Sequence, residues 1–426
     1  MTRGDGSKIF VTGVGTICAA GTEPDAVWET VRSGRTALGA VTQWDTTAWP
    51  TPLAGEVGNY NARALIPDRK LLKLLRRTDV FGLYAADRAI AAAGLSAYRA
   101  TLGDAAANEF NDRTGVYVGS GAGAYHNQYD FFPLLTAAGG DLGAFGRELT
   151  ATINPMWLLR TLPNNVLCHI GIRHDLKGPN ACVTSHSVSG TLAIAEAAAA
   201  LRDGDADRIV AVGHDAPIEP QMMLYMHRLG LLAADAVRPF DPERRGCLLG
   251  EGGAAMVLET TAAARARDAV VLGEVLGSAC TSEAEGLLAI RADGDGLARA
   301  ITSALDDAGI AAADVGMIVA HGNGTRNSDV SEAAAIHRVF GADPPPVTAF
   351  KWAFGHLLAA SGAVEAVLAL LALRRGVVPG IATLRTRDSE CGNLPVSAAP
   401  QAIRTDVALI LSRGFAGLSA ALLLRA

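Results

Sequence analysis

The feature that most constrains this chain is a recurring alternation of short β-branched runs, glycine loops and alanine-rich helical stretches. Four runs stand out: Ile9-Phe10-Val11-Thr12-Gly13, Gly115-Val116-Tyr117-Val118-Gly119, Arg208-Ile209-Val210-Ala211-Val212-Gly213 and Gly316-Met317-Ile318-Val319-Ala320-His321. Between them lie helical patterns rich in alanine and leucine and poor in breakers, at Ala85 to Gly94, Thr191 to Arg202, Gly296 to Ala308 and Gly362 to Arg374. Apolar runs this short, bounded by glycine and followed by helical periodicity, read as buried strands of a layered α/β protein.

With 426 residues, at roughly 150 residues per domain, the chain is too long for one small module. No low-complexity linker divides it, and Pro344-Pro345-Pro346 reads as a rigid local turn. The boundary is placed near Glu259 to Ala264, where the strand-like Ala254 to Glu259 gives way to a charged helical stretch. Two similar halves, residues 1–260 and 261–426, are expected to share one interface.

Acidic residues outnumber basic ones by 43 to 37, a net charge of -6, so bulk attraction to nucleic acid or anionic lipid is not expected. Half the residues are hydrophobic and 19% are charged, a balance that buries a core. The six cysteines, Cys18, Cys168, Cys182, Cys247, Cys280 and Cys391, form no CxxC pair and no regular spacing. A reducing cytoplasm fits them better than a disulfide scaffold or a zinc site. The apolar start at Lys8 to Gly15 is too short and glycine-broken for a signal peptide. The run Ala363 to Leu373 carries Glu365 and falls short of a membrane span.

Gly13-Val14-Gly15 and Gly119-Ser120-Gly121-Ala122-Gly123 follow strand-like runs and invite a dinucleotide-binding reading. The first has Cys18 in place of the third glycine, and the second runs into Tyr125-His126-Asn127. Turn glycines are the favoured reading. Three later segments carry more chemistry. Ala320-His321-Gly322-Asn323-Gly324-Thr325, continued by Asn327-Ser328-Asp329 and Glu332, puts a histidine at the mouth of a buried strand, where it suits acid–base work or hydrogen-bond donation. Lys351-Trp352-Ala353-Phe354-Gly355-His356 adds a lysine and a second histidine, and Ser412 to Gly417 is a glycine loop between two strands.

These pieces together resemble the β-ketoacyl synthases of type II fatty acid and polyketide assembly. The likeness runs through Val11 to Gly15, Arg76-Arg77-Thr78-Asp79, Arg238-Pro239-Phe240-Asp241, Gly250-Glu251-Gly252, His321 to Thr325, and Lys351 with Gly355-His356. The resemblance implies a thiolase fold, two duplicated halves in α-β-α-β-α layers. It also implies acyl carrier protein as partner, with the substrate on its phosphopantetheine arm and no bound cofactor or metal. Pairing, as a homodimer or as a heterodimer with a ketosynthase, is implied through the sheet edge near Gly115 to Gly119. His321 and His356 fall on the family's two histidines, and Lys351 and Glu332 on its accompanying lysine and glutamate.

The nucleophile departs from that pattern. The family's cysteine lies eight residues after the proline of a Gly-Pro turn and three before a helix-opening glycine; counting from Pro179 and back from Gly190 both give Ser187. Cys182 sits five residues too early, with Ser185 where the glycine belongs. A cysteine at a helix N-terminus gains reactivity from a lowered pKa. A serine hydroxyl instead needs a base, and His321, His356 and His186 are the candidates. The resemblance assigns the backbone N–H groups of Ser187 and Phe415 to an oxyanion hole. Arg413 stands where the family has a gating phenylalanine. With Ala54 to Val57 and Ile172 to Pro179, it resembles the chain-length factor, the non-condensing mate of an active ketosynthase, although that subunit ordinarily lacks the histidines retained here. An acyltransferase or decarboxylase is therefore expected first, and a chain-length-factor-like subunit second.

Overall fold

A computed structural model describes residues 8–121 and 131–426; Ala122 to Asn127, part of the second glycine run, lie outside them. Ten strands form the central sheet: β1 (Ile9–Cys18), β2 (Thr114–Ser120), β3 (Asn180–Val183), β4 (Arg208–Asp215), β5 (Gly252–Thr260), β6 (Gly273–Ser282), β7 (Met317–Val319), β8 (Val347–Thr348), β9 (Val407–Arg413) and β10 (Leu418–Arg425). Their order across it is β8-β7-β9-β10-β6-β1-β5-β4-β2-β3. The first five strands run β3-β2-β4-β5-β1 and the last five β8-β7-β9-β10-β6, the same order displaced by five. The senses repeat too. β3-β2-β4 and β8-β7-β9 are parallel, and the remaining pairs in each half are antiparallel. The halves meet where β1 lies antiparallel to β6, through Ile9↔Val275, Phe10↔Glu274 and Val11↔Gly273.

Five helices complete the layers: α1 (Arg77–Ala93), α2 (Ser189–Arg202), α3 (Asp295–Ala308), α4 (Arg326–Phe340) and α5 (Ser361–Arg375). Helices α1 and α3 cover the outer faces, while α2 and α5 pack on each other and on strands of both halves. The α-β-α-β-α layering is therefore present. Burial explains the central pair. Twelve residues of α5, Glu365 among them, are buried, so this helix reads as apolar nearly all round because protein surrounds it. Small residues bring the pair together: a Cβ on Gly190 would stand 2.6 Å from the Ala359 carbonyl oxygen, and one on Gly362 would stand 1.9 Å from Thr191 Oγ1.

Several expectations shift in their details. Helix α1 starts eight residues before the alanine pattern because Asp79 caps it, accepting the Arg76 backbone N–H at 2.8 Å. Strand β7 stops at Val319, since the N–H groups of His321 and Gly322 turn to the Glu332 carboxylate instead of a neighbouring strand. The turn reading of Gly13 and Gly15 is corrected. Both lie inside β1, and Cβ atoms there would stand 2.4 and 2.3 Å from carbonyl oxygens of α1, so glycine is needed for close helix–strand approach. The sheet edge also moves: β2 is one strand in, and the edge is β3. Among the described residues, no helix is long and apolar enough to cross a membrane.

Candidate active site

The turn from β3 into α2 carries Ser187. His186 has φ 53°, a left-handed conformation that costs a β-carbon residue roughly 1–2 kcal/mol and throws the next side chain out of the strand direction. Ser189 braces the turn: its Oγ accepts the Ser185 N–H at 2.8 Å and donates to the His186 carbonyl at 2.7 Å. Ser187 is buried, with Oγ 2.8 Å from Nδ1 of His186. The His186 ring stacks on Phe415, centroids 4.6 Å apart. Burial lowers its pKa to about 4, so the ring is neutral near pH 7 and Nδ1 is free to accept the hydroxyl proton.

His321 and His356 stand edge to face, ring centroids 5.1 Å apart. The Arg413 backbone N–H donates to His321 Nδ1 at 3.3 Å. His356 Nδ1 accepts the Leu358 N–H at 3.2 Å and lies 3.1 Å from Ser361 Oγ. With its Nδ1 occupied as an acceptor, neutral His356 carries its proton on Nε2, whereas both nitrogens of His321 face donors, the Arg413 N–H and Asn323 Nδ2. Burial, and next the Lys351 charge, hold both pKa values well below the ordinary 6.5. Both rings are thus neutral near pH 7.

Lys351 and Glu332 stand behind this pair and do not line the cavity. Lys351 Nζ donates to the His321 carbonyl and to Glu365 Oε1, both at 2.6 Å. Glu332 accepts the N–H groups of His321 and Gly322 at 2.7 and 2.9 Å. The two side chains grip the His321 loop from opposite sides. Burial pushes the Glu365 carboxyl up to about 7, against the pull of the Lys351 ammonium.

Arg413 does face the cavity, but its guanidinium is engaged. Nη2 donates to Glu283 Oε1 at 2.9 Å and Nη1 to the Ser328 carbonyl at 3.2 Å. Beyond Arg413 the chain turns at Gly414, and a Cβ there would lie 3.7 Å from the Ser187 amide nitrogen. Neither the Ser187 nor the Phe415 backbone N–H donates to any group among the described residues. Two free donors beside a buried hydroxyl suit an oxygen that gains charge.

A cavity of about 80 Å³ is lined by Ser187, His186, His321, His356, Arg413 and Phe415 together with Met226, Leu231 and Ile290. It adjoins a larger cleft of about 380 Å³, walled by Leu229, Leu287 and Leu288, with which it shares Leu231, Ile290, Thr325, Gly414 and Phe415. Cys182 lies on β3 away from this lining, and burial pushes its thiol up to about 11, the opposite of an activated nucleophile. Sequence reasoning overlooked Glu365 as a site element, although a lone carboxylate in an apolar helix was its signal. It also gave no role to Asn323, whose Nδ2 is 3.3 Å from His321 Nε2 although it lies in the histidine motif, or to Glu283 and Ser361, which nothing local in the sequence marks.

Residues 6–264 match the family described as Beta-ketoacyl synthase, N-terminal domain, and residues 272–385 match Beta-ketoacyl synthase, C-terminal domain. The chain belongs to the β-ketoacyl synthase family. It is 30% identical over 425 residues to the 3-oxoacyl-[acyl-carrier-protein] synthase 2 of Staphylococcus aureus (strain COL), covering 98% of each chain. Among solved structures it resembles the ishigamide ketosynthase/chain length factor, with a TM-score of 0.87 and 28% identity over 98% of this chain and 99% of that one. It is also similar to a type II polyketide ketosynthase solved in complex with its acyl-carrier protein, AntDE:AntF, with a TM-score of 0.83 and 25% identity over 99% of both chains.

Proposed function

We propose that the protein takes acyl or malonyl groups from acyl carrier protein onto or beside Ser187, acting as an acyltransferase or decarboxylase of type II fatty acid or polyketide biosynthesis. One observation carries the reading: buried Ser187, His321, His356 and Phe415 line the same small cavity, and neither the Ser187 nor the Phe415 N–H donates to any group among the described residues. A larger cleft of about 380 Å³ adjoins the cavity on the side where a thioester arm would enter, and the family's chemistry asks for no cofactor beyond that phosphopantetheine. Ser187 Oγ attacks the thioester carbonyl; the Ser187 and Phe415 amides receive the oxyanion, at roughly 3 kcal/mol per donor. His321 and His356 hold a malonyl thioester carbonyl, or the enolate left by loss of carbon dioxide. Lys351, Glu332 and Glu365 act through His321 as positioning residues.

Intact mass after incubation with acyl or malonyl carrier protein tests this. The expected result is an acyl adduct on the wild type and none on Ser187→Ala, or carbon dioxide release that disappears in His321→Ala. A wild type showing neither adduct nor carbon dioxide rejects it.

The second reading, a non-condensing subunit beside a cysteine-bearing ketosynthase, draws on a different observation. Strand β3 leaves an open edge, and helical segments nearby in the chain expose Phe132, Leu135, Leu142, Leu158 and Leu159. An unpaired strand next to apolar side chains asks for a mate, either a second copy or a ketosynthase. Co-purification of a stoichiometric heterodimer from the producing cell, with no acyl adduct on Ser187, supports this second reading.

A further inference from the structure

Ser187 needs a group to take its proton, and the site holds three imidazoles. His356 uses Nδ1 to accept a backbone N–H, so its remaining nitrogen carries the proton, and both ring nitrogens of His321 already face donors, the Arg413 N–H and Asn323 Nδ2. His186 differs. Its Nδ1 is 2.8 Å from Ser187 Oγ, and no other described group engages that ring nitrogen. A left-handed backbone at φ 53° is what lets two neighbouring side chains on one turn face each other, and Phe415 fixes the ring plane by stacking at 4.6 Å. The charged and titratable groups facing it are His321, His356 and Arg413. The last is neutralised by Glu283, and neither histidine carries charge at neutral pH.

We propose that His186 and Ser187 form a local dyad in which His186 Nδ1 is the general base for acylation of the serine, leaving His321 and His356 to hold the carbonyl or enolate. This rests on the acyl-transfer reading above and adds a catalytic residue to it. The step balances as follows. Oγ bonds to the thioester carbonyl carbon while its proton passes to Nδ1. As the carbon–sulfur bond breaks, that proton goes to the departing pantetheine sulfur, which leaves as a thiol. Burial makes the imidazolium expensive, so the proton's stay on His186 is brief and the ring is unprotonated across the neutral range.

Two measurements separate this inference from the reading it rests on. The first is the rate of adduct formation with S-acetyl pantetheine. His186→Gln is expected to slow acylation roughly 100-fold or more, a usual worth of general base catalysis, and His186→Phe, which keeps the stack, to behave the same way. The wild-type rate is expected to hold down to pH 5 and fall with an apparent pKa of about 4, a profile that a ring acting only as packing does not impose. The second is labelling by a fluorophosphonate, which reports a base-activated serine without any carrier: the serine oxygen bonds to phosphorus, fluoride leaves, and the proton goes to the base. Labelling of Ser187 that is lost in both His186→Gln and His186→Phe while circular dichroism stays native upholds the dyad, even if carrier protein transfers nothing and the acyl-transfer reading falls. Wild-type rates in His186→Gln by either probe overturn the dyad, as does a wild type that no fluorophosphonate labels.

Discussion

The two halves carry the same turn twice, and only one of them is open. In the first, β3 passes through His186 (φ 53°) into Ser187, and α2 starts at Ser189; in the second, β8 leads to Leu358 (φ 44°) and Ala359, and α5 starts at Ser361. Each strained residue stands three before the helix start, and a glycine follows one position in, Gly190 and Gly362. Each turn is faced by the end of a strand from the other half. Across Ser187 stands Gly414, and the N–H groups of Ser187 and Phe415 have no acceptor among the described residues. Across Ala359 stands Asp215, whose carboxylate accepts the Ala359 N–H at 3.2 Å and the Ala216 N–H at 2.9 Å. A side-chain carboxylate thus occupies in one half the position that the proposed function assigns to a substrate oxyanion in the other. The duplicated fold builds the same turn twice, and the Asp215 carboxylate fills one of them where Gly414 brings no side chain to the other.

The sharpest way to break this comparison is to close the open turn. Gly414→Asp, at a position whose φ suits an L-residue, is expected to put a carboxylate on the Ser187 and Phe415 amides and to lower the acylation rate at least roughly 100-fold. Circular dichroism is expected to stay native; full acylation by Gly414→Asp would sink the comparison. Conversely, Ala359→Ser is expected to place a second hydroxyl on the plugged turn without creating a second adduct, so peptide mapping finds acyl mass at Ser187 alone.

Next in size is the loss of the plug. Asp215→Ala leaves two buried N–H groups without acceptors and is expected to cost about 2–3 kcal/mol in denaturant unfolding, with part of the loss restored by millimolar formate and none by chloride. A smaller effect follows from protonation. Burial raises the Asp215 pKa from 3.8 to about 6, so the folded state holds this proton more tightly than the unfolded one. Its contribution to stability is full below about pH 4 and is lost as pH rises through about 6. Asp329 and Glu365 titrate in the same direction, each near 7. The wild-type minus Asp215→Asn difference isolates the Asp215 share: the wild type is expected to lose ground between pH 4 and 6, and a flat difference refutes the assignment.

The second half's loops show why its chemistry serves the first. Two residues lie between the end of β3 and His186, whereas nine lie between the end of β8 and Leu358. The longer connection carries Lys351 and His356, and the loop after β7 carries His321. Both are folded back by Glu332, Glu365 and Ser361 over the neighbouring turn. A single half, with its own strands intact, holds either the serine or the histidines.

Much of this was legible in the residues. Apolar runs bounded by glycine marked β1, β2, β4 and β7, and alanine-rich periodicity marked α1, α2, α3 and α5, because burial on both faces leaves strands and helices with few polar positions. Spacing from Pro179 and Gly190 led to Ser187, and motif order led to His321 and His356. The short strand β8 was not legible, since two residues between loops leave no period. The true role of Gly13 and Gly15 was hidden because the helix that needs their missing side chains is some seventy residues away.

What the sequence by itself determined is the layered α/β plan and the residue types gathered at one end of it, since alternation and glycine placement are local and survive without coordinates. Only the tertiary structure decided that His186 points at Ser187, that Arg413 is held by Glu283, and that Asp215 fills one turn while Gly414 leaves the other empty. Those outcomes depend on where distant strands end relative to one another in three dimensions. A one-dimensional pattern carries no distance between residues two hundred positions apart.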